Sequence, residues 1–133
     1  MHVVESTATR ILRRVAADPA DLRGLLMESM PLDAVRRREN LVWHCFWARA
    51  AFSSELAREH RARHDKLWFR AVADTFTAAQ EAGRINADLD AEVEALALMA
   101  FVNGVGTAAA FSPRIWSAPK QKAHLDRYLE RLT

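Results

Sequence analysis
The sequence predicts an all-α fold: an antiparallel bundle of about six helices, one domain over residues 1–133. Three observations predict it. Half of the 133 residues are hydrophobic, while glycine and proline number four each. Ala, Leu, Arg and Glu dominate, a balance that favours helix over sheet. Apolar side chains recur at three- and four-residue spacing instead of alternating. Prolines and short polar capping residues punctuate the chain, leaving connections of roughly two to eight residues, normal for a bundle.

The stretch with the strongest signal is residues 41–52, LVWHCFWARAAF. It holds two of the four tryptophans and the single cysteine. Its apolar positions cover nearly the whole helical wheel, which predicts a central helix surrounded by protein. At ~1.5 Å per residue it is too short to cross a bilayer. His44 and Arg49 are its interior polar groups and need a partner, a cavity or an end of the bundle.

In chain order, residues 2–17 read as a first helix. Val4, Ala8, Ile11, Leu12 and Val15 form its apolar stripe, and Arg10, Arg13 and Arg14 lie opposite. Asp18-Pro19 stops it, and Asp18 is expected to cap a second helix of about eleven residues that ends at Pro31. Asp33 caps the third, whose charged start (Arg36, Arg37, Arg38, Glu39) leads into the central stretch. Three arginines at a helix N-terminus oppose the helix dipole, so an acidic neighbour is expected there.

Ser54 is expected to cap a long fourth helix over residues 55–82, with Gly83 as its C-terminal cap. Asp88 or Asp90 caps the fifth. It is almost entirely apolar or small from Val93 to Phe111, with Ala97, Ala100, Gly104 and Ala108 as a track that lets another helix approach. Ser112-Pro113 ends it. The last helix, residues 120–132, buries Leu125, Tyr128, Leu129 and Leu132.

Nineteen Lys and Arg against seventeen Asp and Glu give a formal net charge of +2. The two signs are mixed along the helices, which reads as a solvated surface and not a polyanion-binding face. One cysteine cannot make an internal disulfide, and Cys45 is expected to be a buried thiol in a reducing cytoplasm. No signal peptide is read at the start, and no apolar run approaches the ~20 residues that span a membrane. No nucleophile elbow or phosphate-cradling glycine loop is present, so no enzyme is expected. His60 and His64 are spaced to share one helix face, but two ligands fall short of a zinc site, so no metal is expected.

The order of these motifs resembles the C-terminal ligand-binding and dimerisation domain of TetR-family transcriptional repressors of the choline-betaine regulator type. The residues that carry it are a leucine-rich short helix ending in MPLD and the arginine-rich entry into LVWHCFWARAAFSSELA. They continue with the long run AAQEAGRINADLDAEVEALALMAFVNGV, in which Ile85, Asp88, Asp90 and Asn103-Gly104 are the most specific. The resemblance spans roughly residues 2–132. It implies that residues 1–17 are the tail of a connecting helix, and that the helix-turn-helix DNA-binding head is absent from this chain. Asn103 departs from the family, which often has aspartate there.

The resemblance implies a small-molecule effector bound inside the bundle and no cofactor. The expected pocket walls are Trp43, Phe46, Trp47, Trp68, Phe69, Val72 and Phe76, with His44, Arg49, Thr75 and Asn103 as converging polar groups. The plainer reading is that these aromatics fill the core. It also implies a homodimer in which the last two helices pair with their copies. That places Leu96, Ala97, Ala100, Gly104, Thr107 and Ala108, with Leu125, Tyr128, Leu129 and Leu132, at a four-helix interface. The expected function is effector sensing for a repressor whose DNA contacts lie elsewhere. The alternative is a headless helical interaction protein that dimerises without a ligand.

Overall fold
The computed structural model describes residues 2–60 and 66–133, and for residues 2–6 and 60 the backbone alone. Seven helical segments are present among them: α1 (His2–Ala17), α2 (Leu22–Met27), α3 (Ala34–Ala50), α4 (Ser54–His60), α5 (Lys66–Glu81), α6 (Ala91–Phe111) and α7 (Ala118–Glu130). No strand occurs among the described residues. The helix expected over residues 55–82 is seen as α4 and α5. The residues between them, with His64, lie outside the described ones.

Local chemistry sets most boundaries. The Asp33 carboxylate accepts from the Arg36 N–H, and that of Asp90 accepts from the Glu92 and Val93 N–H groups. Each satisfies donors that the first helical turn leaves free. Gly83 closes α5 at φ 75°, a left-handed conformation that glycine adopts without a Cβ clash. Two expected caps are corrected. Asp21, not Asp18, caps α2 by accepting from Gly24 N–H. Asp18 instead accepts from Ala20 N–H and pairs with Arg84. Ser53, not Ser54, offers its hydroxyl oxygen to the Leu56 N–H.

The core is built from α2, α5, α6 and α7. Leu22, Leu25, Leu26 and Met30 meet Val72, Ala73, Phe76 and Ala79, and these meet Ala95, Leu98, Met99, Val102 and Val105. Leu125 and Leu132 close the end. The short turn between α5 and α6 makes them antiparallel neighbours. Gln80 pins that turn by donating to the carbonyls of Asn86 and Leu89. Asn86 N–H in turn donates to Leu132 O, tying the chain's end to it.

The expectation that residues 41–52 are enclosed is overturned. Leu41, Cys45, Ala48 and Phe52 are exposed, Phe52 by 94%. Of this stretch only Ala50 is buried. Cys45 is likewise exposed, not a buried thiol. The reason is packing partners: α4 and α6 cover part of α3, and α1 reaches it at Glu39. The organising helix is α6. Its 21 residues are long and apolar enough to cross a membrane, contrary to the reading that no such run exists. A core helix passes the same test, and α6 sets Leu98, Met99, Val102 and Val105 against α5 as the spine of the bundle.

Candidate functional site
The expected pocket residues do not gather in one place. Trp43, Phe46, Trp47 and His44 stand together on α3, all partly buried. Trp43 meets Phe46 edge-on at 5.9 Å between ring centroids and lies 6.3 Å from Trp47. The His44 ring stands edge-on to Trp47 at 5.7 Å. These are the offset and edge-to-face arrangements that aromatic quadrupoles favour. Trp68 and Phe69, on α5, are partly buried against the core, and the Arg70 guanidinium lies 5.5 Å from the Phe69 centroid. Val72, Thr75 and Phe76 are deeper still, fully within the packed interior. Asn103 is exposed on α6, and Arg49 is exposed on α3.

His44 is the polar centre of the α3 group. Its Nδ1 lies 2.7 Å from the carbonyl of Asn40, and its Nε2 lies 2.9 Å from Oγ1 of Thr107 on α6. Since a carbonyl only accepts, Nδ1 carries the proton. The Thr107 hydroxyl can donate to Nε2 or to Asn103 O at 3.1 Å. One turn earlier, Asn40 donates through Nδ2 to Ser29 O and Arg36 O. The two helices touch here because Gly106 has no side chain: a Cβ would stand 2.5 Å from Asn40 Oδ1. Gly106 was not among the residues singled out from the sequence. The glycine pair in NGVG was its only trace.

A shallow groove of about 420 Å³ lies elsewhere, where the start of α2 meets the α5–α6 turn and the end of α7. Leu22, Ala79, Ile85 and Leu129 floor it. The Arg23–Asp126 ion pair, at 2.5 Å, stands on its wall. None of the expected pocket residues lines it.

The expected interface residues also divide. Leu96, Ala97, Ala100, Gly104 and Thr107 are exposed along one side of α6, and Ala108 is partly buried. Val93, Phe111 and Ile115 extend the same apolar exposure toward both ends. Tyr128 and Leu129 are partly buried, and the Tyr128 ring lies tilted against Phe101, 4.9 Å between centroids. Leu125 and Leu132, at 0% and 7% exposure, are buried in the chain's own core.

Missed from the sequence was a half-buried ion cluster, its carboxylates enclosed and its arginines partly exposed, where α1 meets the end of α2 and the start of α3. Glu28 accepts from Arg10 Nε at 2.8 Å, Arg14 Nε at 2.9 Å and Arg36 Nη2 at 3.0 Å. Glu39 accepts from Arg10 Nη1 at 2.8 Å and also from its Nη2. Burial pushes the Glu28 carboxyl up, but the hydrogen bonds from Arg14, Arg10 and Arg36 together hold it below the usual range. The hydrogen bonds to Glu39 raise the Arg10 guanidinium, outweighing burial. Arg36 also pairs with Asp33, the acidic neighbour that the basic helix start called for.

A crystal structure of a transcriptional regulator from Rhodococcus sp. Rha1 superposes with a TM-score of 0.81 at 26% identity, covering 98% of this chain and 67% of that one. Residues 19–133 match the family described as BetI-type transcriptional repressor, C-terminal, and the chain belongs to that family. No curated protein matches it.

Proposed function
We propose that this chain is the effector-sensing and dimerisation domain of a TetR-like repressor, acting on DNA through a head outside these 133 residues. The observation that carries the reading is the uncovered face of α6. Leu96 and Val93 are 60% exposed and Phe111 is 86% exposed, in line with Ala97, Ala100, Gly104 and Thr107. Contiguous apolar surface of this kind marks an interaction site. The small residues at its centre suit a second helix at close range, and a two-fold pair of identical chains is the commonest closed assembly.

The effector end of the proposal rests on α3. Trp43, Phe46 and Trp47 offer partly buried rings, and His44 adds one polar group beside them. That combination suits a small, largely apolar molecule held by ring faces, with one hydrogen bond accepted by His44 Nε2 once the Thr107 hydroxyl turns to Asn103 O. Binding there would shift the balance between two dimer geometries, since α3 meets α6 through the His44 to Thr107 contact.

Native mass spectrometry of the purified chain tests both ends. A mass of two 15.0 kDa chains with a small addition supports the whole reading. A dimer without it, and with no tryptophan fluorescence response to a library of apolar small molecules, favours ligand-free dimerisation. A monomer at micromolar concentration overturns the interface.

A further inference from the structure
We propose that α1 is held on the body by an ionic clasp, with Arg10 as its pin, and forms a unit that releases separately from the core of α2, α5, α6 and α7. The inference stands apart from the effector and dimer readings and does not need either.

Among the described side chains of α1, residues 7–17, the apolar hold is small. Of these, Ile11 and Val15 pack against the core, and both are only partly buried. Leu12 is 70% exposed. Each helix of the core, by contrast, contributes at least one fully buried side chain. The polar hold is dense. Arg10 spends all three of its nitrogens at once: Nε on Glu28, Nη1 on Glu39, and Nη2 on Glu39 and on the Glu28 carbonyl at 3.3 Å. Arg14 adds Glu28, and the Thr7 hydroxyl donates to Glu39 at 3.2 Å.

The two carboxylates sit on different elements, Glu28 just past the end of α2 and Glu39 in α3. Both are buried. Such a cluster is unlike an apolar contact in one respect. Its energy depends on every partner being present, because removing one leaves an uncompensated charge away from water. A helix held this way stays docked or leaves as a block; it does not loosen gradually. The family match begins at residue 19, past the end of α1.

Hydrogen exchange read by mass spectrometry on the intact chain tests this, using Glu39→Gln, Arg10→Lys and Leu12→Ser. Glu39→Gln is expected to speed exchange of α1 amides at least tenfold, while amides of α6 around Leu98 and Val105 stay at the parent rate. Arg10→Lys keeps the charge but loses the fork, and is expected to fall between. Leu12→Ser, on the exposed side, should match the parent. If α1 is unmoved by Glu39→Gln, its hold is apolar and the proposal fails. It fails equally if α1 and α6 accelerate together, since α1 then belongs to the global unit. Should Glu39→Gln not fold, the parent chain decides: α1 amides should exchange as one block, faster than α6, and equal protection overturns the clasp.

Discussion

Arg10 and Glu39 stand 29 positions apart and meet fork to fork, Nη1 on Oε1 at 2.8 Å beside Nη2 on Oε2. This planar pairing joins α1 to α3, and its Nε continues to Glu28 at the end of α2. Three helices therefore share one guanidinium. Bidentate guanidinium–carboxylate contacts are strong and direction-specific, so the cluster sets an angle as well as an attraction.

Acid should weaken this junction. Glu28 is held below the ordinary carboxyl range in the fold, so the unfolded chain takes up its proton first as pH drops. The Glu28 contribution is fully present above the unfolded value near ~4.3. It is lost as pH falls through the lower folded value. Urea melts between pH 7 and pH 3 should show stability falling at the acid end. Glu28→Gln should cost about 1–3 kcal/mol at pH 7, because its arginine partners keep some access to water, and should flatten that acid slope. A slope as steep as the parent's would assign the acid sensitivity to other carboxylates.

The two glycines of α6, Gly106 at the α3 crossing and Gly104 on the uncovered face, should respond oppositely. At Gly106 an added Cβ meets Asn40 Oδ1 at 2.5 Å. Asn40 cannot easily yield, because its amide donates to Ser29 O and Arg36 O. Gly106→Ala should therefore destabilise by about 1–3 kcal/mol, the usual cost of overpacking. At Gly104 nothing lies within 4 Å of an added Cβ. Gly104→Ala should stabilise the isolated chain by about 0.5–1 kcal/mol through helix propensity. Chemical denaturation of both variants at low protein concentration measures the contrast.

Phenylalanine truncations should separate the true core from the stretch that looked most like one. Phe76 is 0% exposed, and Phe76→Ala should cost ~3–5 kcal/mol. Phe52→Ala, at a side chain 94% exposed, should stay within about 0.5 kcal/mol in the monomer. Denaturation midpoints for the pair would show whether Phe52 is covered in solution.

Those two residues also mark what the sequence could and could not reveal. Caps are local chemistry, so Asp33, Asp90 and Gly83 were legible: each acts within a few positions of itself. The all-α class and the apolar α6 followed from spacing in the same way. Residues 41–52 misled because an apolar wheel records what a helix could bury, not what surrounds it. Partners cover only part of α3, leaving Leu41 and Cys45, and Phe52 just past its end, outside. Arg10 and Arg14 misled in the other direction. Opposite the apolar stripe they read as wet, but their long side chains turn in to Glu28, 18 and 14 positions away. Pairings at that separation leave no periodic signal. For the candidate site, α3's clustered rings were legible, whereas the burial of Val72 and Phe76 within packed core depended on which helices came together.

The uncovered face of α6 yields the sharpest prediction about assembly. Leu96 and Leu125 were both expected at an interface, but Leu96 is 60% exposed and Leu125 is fully buried. Leu96→Glu should leave the chain folded, because the carboxylate remains in water in the monomer. In a two-fold pair it would bring like charge and a desolvated carboxylate into the contact, a penalty able to weaken association by tenfold or more. Leu125→Ala should instead destabilise the chain itself by ~2–5 kcal/mol. Sedimentation across a concentration series, beside thermal unfolding, separates the effects. A Leu96→Glu chain that associates like the parent would move the interface off this face of α6, and the exposed Leu41 and Cys45 on α3, with Phe52 just past its end, would become the surface to mutate next.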